Sequence, residues 1–185
     1  MVRGIRLLAA LLAITGLALA PGVAQAKKKH HTTLLNTKTK LIVPGASLAG
    51  ASIGQATAKA EAAWGIPPKT CAPVSCVWQN AAGVATLGFN SGKVTGLRVT
   101  IAFKGGKPLL TSPLTKLKTA KGIGLGSTAA ALSAAYPELT KGPTSHDYAN
   151  NADVTLYVSP TGDQRSTKYG VSGGKVVSID IQLLA

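Results

Sequence analysis

The chain has 185 residues, 45% of them hydrophobic and only 4% aromatic, with 20 Lys and Arg against 6 Asp and Glu for a formal net charge of +14. That length supports one domain or two small half-domains sharing a core. Its two cysteines are too few to build a metal centre alone, and a thioredoxin-type redox pair would have two residues between them rather than four.

Residues 1–26 read as a secretory signal. Arg3 and Arg6 form a basic leader, Leu7 to Ala20 an apolar run, and Ala24-Gln25-Ala26 a small-residue cleavage site before Lys27. The apolar run is shorter than the roughly 20 residues a membrane span needs, and neither a lipid-bearing Cys nor a paired Arg accompanies it. The expectation is a freely released extracellular protein, with no membrane span after cleavage, of formal charge +12 once the two leader arginines are lost. In an oxidising compartment Cys71 and Cys76 pair most simply as a disulfide closing a short loop, worth about 2 kcal/mol.

Charge is uneven along the chain. Between Lys27 and Pro137 the only acid is Glu61, while Glu138, Asp147, Asp153, Asp163 and Asp180 fall in the last third. A basic exported protein meets anionic wall polymer and lipid head groups before nucleic acid, so no nucleic-acid partner is expected; a solvated basic surface satisfies the same pattern.

Residues 27–40, opening with Lys27-Lys28-Lys29-His30-His31, lack apolar periodicity and read as a basic disordered arm. In 41–104, Leu41 to Val43 is β-prone, a short helix runs toward Trp64, and Gly65-Ile66-Pro67-Pro68 stops it. Three strands follow, around Cys76 to Gln79, Val84 to Phe89 and Val94 to Phe103, the last two joined at Asn90-Ser91-Gly92. Leu97, Val99, Ile101 and Phe103 alternate with Arg98, Thr100, Ala102 and Lys104, the mark of a sheet with one buried face. Residues 105–117 read as a connector. In 118–185 the plan recurs: a Gly-rich start at Gly122 to Gly126, a helix to Ala135, a stop at Pro137, a polar loop, a strand at Val154 to Val158, and a hairpin.

Sliding the chain by 72 positions lays Gly50-Ala51-Ser52-Ile53-Gly54 over Gly122-Ile123-Gly124-Leu125-Gly126, and sliding it by 82 lays Leu97, Val99 and Ile101 over Ile179, Ile181 and Leu183. The fold class expected is therefore α+β: two tandem repeats, each a short helix plus an antiparallel meander, sharing one sheet with helices on one face. The Gly122 to Thr128 stretch also invites a phosphate-loop reading. No buried strand precedes it and no Lys follows Gly126, so it reads instead as a helix start capped by Thr128 or Ser127.

With Gly126-Ser127-Thr128, Leu132 and Tyr136-Pro137 in the second unit and Trp64-Gly65-Ile66-Pro67 in the first, the pattern resembles the repeat of β-lactamase inhibitory proteins and of the SmpA/OmlA-type assembly lipoprotein. The phrase Thr119 to Ser127 is similar to exported proteins of high-GC actinobacteria. The first unit departs from the pattern, having Ala56 where a capping Thr would stand. The resemblance implies helices on one sheet face and a partner gripped on the other.

Catalysis lacks a constellation. Ser145-His146-Asp147 holds the three residue types of a triad, but neighbours in sequence cannot all converge on one point, and the acids show no pairing of the glycosidase kind. No catalytic residue, cofactor or metal site is expected, and the chain is read as a non-enzymatic, possible inhibitor-like binding module. Candidate partner-binding residues are Trp78, Arg98, Thr100, Tyr157, Asp180 and Gln182, with Trp78 equally readable as core. The partner expected is an extracellular protein. The alternative is an envelope-associated structural role, anionic cell-wall polymer being held by the basic N-terminal part.

Overall fold

The alternation at Leu97 to Ile101 becomes a central strand of a large antiparallel sheet. The computed structural model describes residues 34–36, 38–147, 149–159 and 164–184. The expected signal, Lys27 to Thr33 of the arm, the loop at Thr161 and Asp163 lie outside the described residues. In chain order the elements begin with β1 (Leu41–Val43), β2 (Ser47–Leu48), β3 (Ala51–Ser52), α1 (Thr57–Trp64) and β4 (Thr70–Ala72). Next come β5 (Ser75–Asn80), β6 (Gly83–Asn90), β7 (Lys93–Ile101), β8 (Phe103–Lys104), β9 (Lys107–Pro108), a 3-10 turn at Pro113–Lys116 and β10 (Lys118–Thr119). The chain continues through α2 (Ala129–Ala135), β11 (Thr140–Asp147), β12 (Ala152–Val158), β13 (Arg165–Ser172) and β14 (Lys175–Leu183).

Eight strands form one sheet in the order β11-β12-β13-β14-β7-β6-β5-β4, and a smaller sheet runs β10-β1-β2-β3. At the centre of the large sheet β14 pairs antiparallel with β7, placing Ile179 against Val99 and Ile181 against Leu97. All four side chains are fully buried. Residues 91–92 and 173–174 turn the flanking hairpins with positive φ at both positions, the primed-turn geometry that matches strand twist.

The α+β expectation is not met. Strand accounts for 51% of the described residues, and the two helices among them are short. The physical reason lies in their composition: Ala-rich runs of eight and seven residues carry too little apolar area to form a layer. Much of the cover over the core face comes from the small sheet, through Ile42, Leu48 and Ala51, and from Leu34 and Leu35, all buried in one cluster with the large sheet. Those two leucines fall within the 27–40 stretch read as an arm, and Asn36 N beside them donates to Trp64 O at 2.9 Å. The polar stretch around Ser145, expected as a loop, is strand β11, paired to β12 throughout most of its length. Its residues carry no apolar alternation because both faces are largely exposed.

Each helix is pinned to a hairpin by the same three hydrogen bonds. Gly54 N donates to Val94 O, Val94 N to Gln55 O and Thr57 N to Gly92 O; correspondingly Gly126 N donates to Val176 O, Val176 N to Ser127 O and Ala129 N to Gly174 O. Thr128 caps α2, its Oγ1 accepting from Ala131 N at 3.0 Å, whereas Ala56 leaves α1 without a side-chain cap. Gly124 is required for space: a Cβ there would collide with Leu117 O, because the loop runs against Lys118 as an isolated bridge.

Trp64 and Trp78 meet edge to face with ring centroids 4.6 Å apart. Their indole N–H groups donate to Leu48 O at 3.2 Å and Ile66 O at 2.6 Å, so neither polar atom is left orphaned by burial. Trp78→Ala is expected to cost about 3–5 kcal/mol in denaturant unfolding. A loss below about 1 kcal/mol, the level of ordinary surface changes, would show that the pair does not hold the core.

Candidate binding site

Directly opposed residues on neighbouring strands share a face, so the register assigns every side chain to core or outer surface. Arg98 lies opposite Asp180 on one side and Thr86 on the other, and Asp180 lies opposite Lys168. This row runs across the outer face. One step along, Thr100 lies opposite Ser178, and Gln182 follows Asp180 on the same side of β14. Four of the six residues singled out from sequence are therefore brought together: Arg98, Thr100, Asp180 and Gln182.

The other two belong elsewhere. Trp78 is 2% exposed and faces the core with Ala85 and Val99, its indole N–H satisfied internally, so it offers a partner nothing. Tyr157 lies opposite Tyr169, itself 1% exposed, and packs against the core cluster from the side away from Arg98. Trp78 thus takes the core reading that the sequence left open, and Tyr157 is placed with Tyr169 rather than with Arg98.

Within the row, Gln182 Nε2 donates to Asp180 Oδ2 at 2.8 Å and Lys168 Nζ donates to Gln182 Oε1 at 3.2 Å. Burial raises the Asp180 pKa above its ordinary value of 3.8, against the opposing pull of Arg98, Lys168 and the Gln182 bond. Beside this row lies a cleft of about 160 Å³. Thr100 and Ser178 line one part of it, Phe103, Val154 and Leu156 supply apolar walls, and Ser145 and Asp147 reach in from β11. Gly170 leaves room for this arrangement, since a Cβ there would strike Ser178 Oγ and come within 3.1 Å of Val154 Cγ1. Ser178 was legible from its alternation with Asp180 and Gln182; Ser145 and Asp147 carry no such signal.

Asp147 also fixes the turn that follows β11. Its Oδ1 accepts from Ala149 N at 3.0 Å and Asn150 N at 3.2 Å, and its Oδ2 accepts from Asn150 Nδ2 at 2.7 Å. The Asn150 side-chain bond, with the backbone bonds and Arg98, lowers its pKa despite some desolvation. His146 lies between Ser145 and Asp147 in the strand, so it points to the other side, where Nδ1 meets Asp153 Oδ1 at 2.8 Å. The Ser-His-Asp sequence is thus split between two faces.

Cys71 and Cys76 form the expected disulfide, bridging directly opposed residues of β4 and β5. Glu61 Oε1 lies 3.5 Å from the Cys76 sulfur, a contact rather than a hydrogen bond because a disulfide sulfur carries no proton. No helix among the described residues is long and apolar enough to cross a membrane.

No protein-family model matches this chain, and no curated protein matches it. Two solved structures are similar: an extracellular protein containing an SCP domain from Bacillus anthracis, at 13% identity and a TM-score of 0.41, and a cysteine-rich secretory protein from Staphylococcus aureus, at 12% and 0.42. Each match covers 70% of this chain, which spans less than half of theirs, 43% and 42% respectively. Neither structure is a β-lactamase inhibitory protein or an SmpA/OmlA-type lipoprotein, so the resemblance read from the sequence is not met. Gly126-Ser127-Thr128 marks how a helix is pinned to a hairpin and Gly65-Ile66-Pro67 how a helix ends, local arrangements that do not specify a family. No residue role is carried over from the two structures.

The two acids of the outer face respond to pH with opposite sign. Asp147 has a lowered folded pKa, so its contribution is present above the unfolded value of about 3.9 and is lost as pH falls through the folded one. Asp180 has a raised folded pKa, so wild type is disfavoured once pH rises through it. Asp147→Asn should lower the thermal midpoint at pH 7 and Asp180→Asn should raise it. The Asp180 difference should close below pH ~3.9, where the unfolded carboxyl is protonated as well, and the Asp147 difference only below its own, lower folded pKa. Thermal unfolding from pH 3 to 7 reads this directly; equal signs for the two variants would refute the assignment.

Proposed function

We propose that this chain is an exported, non-enzymatic binding module that holds an extracellular protein on the outer face of its large sheet, with Arg98 as the anchor. The observation that carries the reading is the setting of Arg98. It is exposed on a central strand and forms no ion pair or hydrogen bond among the described residues, yet it stands between Asp180 and the Phe103-walled cleft. Arginine so placed, beside apolar wall and hydroxyls, is the kind of residue that dominates interface energetics.

The face is favoured over the sheet edges as a docking surface. The outer strand β11 contains Pro143, which has no N–H to offer, and its register shifts between Lys141 and Thr144. At the other edge β4 is three residues long. Extracellular location is supported by the leader-like sequence of residues 1–26 and by a disulfide, which persists in oxidising compartments.

Pull-down from culture supernatant and envelope fractions tests the reading, using wild type beside Arg98→Ala and Gly170→Ala variants with matched thermal midpoints. A specific protein captured by wild type should be retained at least about tenfold less by Arg98→Ala, consistent with loss of a hot-spot residue. Capture of the same proteins by all three would end the proposal. Retention on wall material that disappears at high salt, with no protein bound, would favour anionic polymer held by the basic N-terminal part instead.

A further inference from the structure

We propose that Glu61, Cys71 and Cys76 form a binding site for a divalent cation of the zinc class, closed by the disulfide and opened when that bond is reduced. The inference rests on a different part of the molecule from the outer face. One donor atom from each of the three residues lies within 4.8 Å of the others. Glu61 is the single acid between Lys27 and Pro137, and the fold sets it against the only two cysteines in the chain.

The donors come from elements held in place without the sulfur–sulfur bond. The β4–β5 hairpin keeps its register through three residue pairs, and backbone bonds brace it on both sides: Lys69 N donates to Val77 O at 2.7 Å and Phe89 N to Val74 O at 2.9 Å. Beyond β5, the neighbouring strand β6 continues the ladder over six pairs. Glu61 sits in the final turn of α1, whose end is fixed by the buried Trp64 and by Gly65, with φ of 67° and its N–H donating to Glu61 O and Ala62 O. Reduction therefore leaves two thiols opposite each other with a carboxylate above them.

The chemistry balances with a dithiol as reductant. It supplies two electrons and two protons as the Cys71–Cys76 bond breaks, and its own sulfurs join. Cation entry then displaces the thiol protons. Bonds of about 2.0–2.3 Å around a tetrahedral ion set donors about 3.3–3.8 Å apart, so the sulfurs must part and the carboxylate close in, within reach of side-chain rotation. Two thiolates and a carboxylate repel one another, and a divalent ion neutralises that repulsion, which gives the reduced state an affinity the oxidised state lacks. Cys76 and Glu61 are buried and half-buried, while Cys71 is exposed, so both the reductant and the ion approach from the Cys71 side and a fourth position is left to water.

The test uses the full mature chain, reduced with a phosphine and desalted under inert gas, and titrated with Cd2+ as the probe. Thiolate-to-cadmium absorbance reports only sulfur ligation, so the histidines of the arm do not interfere, and Zn2+ competition against a chromogenic chelator then gives relative affinity. The expected result is one equivalent bound by reduced protein, none by oxidised protein, and an affinity at least about tenfold weaker in Glu61→Gln. Equal binding by Glu61→Gln would reduce the site to an ordinary dithiol and overturn the proposal. So would loss of far-ultraviolet circular dichroism on reduction, because a site that vanishes with the hairpin is not preformed.

Discussion

The pairing of β7 with β14 is the constraint on which the rest depends. It joins two hairpins into one sheet by laying Leu97 and Val99 against Ile181 and Ile179. Because side chains alternate with a period of two, that register simultaneously commits Arg98, Thr100, Ser178 and Asp180 to the opposite face. A slip by one residue would bury Arg98 and Asp180 and expose Leu97, Val99, Ile179 and Ile181, all fully buried in the native register. The interior thus enforces the outer polar row, and the row needs no ion pair of its own to stay aligned.

The helices illustrate how weak local elements are stabilised by their attachments. Both are too short to persist alone, and α1 lacks a capping side chain. Each is nevertheless tied to a hairpin by three backbone bonds that use the turn carbonyls of one element to satisfy the amides of another. At the far end of α2, Lys121 Nζ donates to Ala135 O at 2.6 Å and stands 4.5 Å from the Tyr136 ring centroid, replacing a terminal capping glycine by charge.

Several features were legible in the sequence because they rest on short-range chemistry. The alternating strands, the Asn90-Ser91-Gly92 turn, the Thr128 cap and the Cys71–Cys76 bridge follow from residue type and spacing. What was not legible depends on distant partners. Trp78 and Tyr157 have side chains suited to either core or interface, and only the strands opposite them decide which. The role of Leu34 and Leu35 was hidden by their polar surroundings, since two adjacent leucines show no period. The cleft could not be foreseen because β11 is polar on both faces and Gly170 contributes to the cleft through an absent side chain.

One contact in the small sheet also bears on when the protein can become itself. Strand β1 pairs in parallel with β10, Leu41 against Lys118 and Ile42 against Thr119, and Lys118 N donates to Lys40 O. Everything from the first helix to the 3-10 turn lies between the two partners, so this closure carries a large loop entropy and a slow, topology-limited step. A chain delivered amino end first would present β1, with Leu41 and Val43 facing outward, well before the strand that completes it. During that interval its open edge is a template for other chains, which makes the order and pace of delivery part of what limits mispairing during folding.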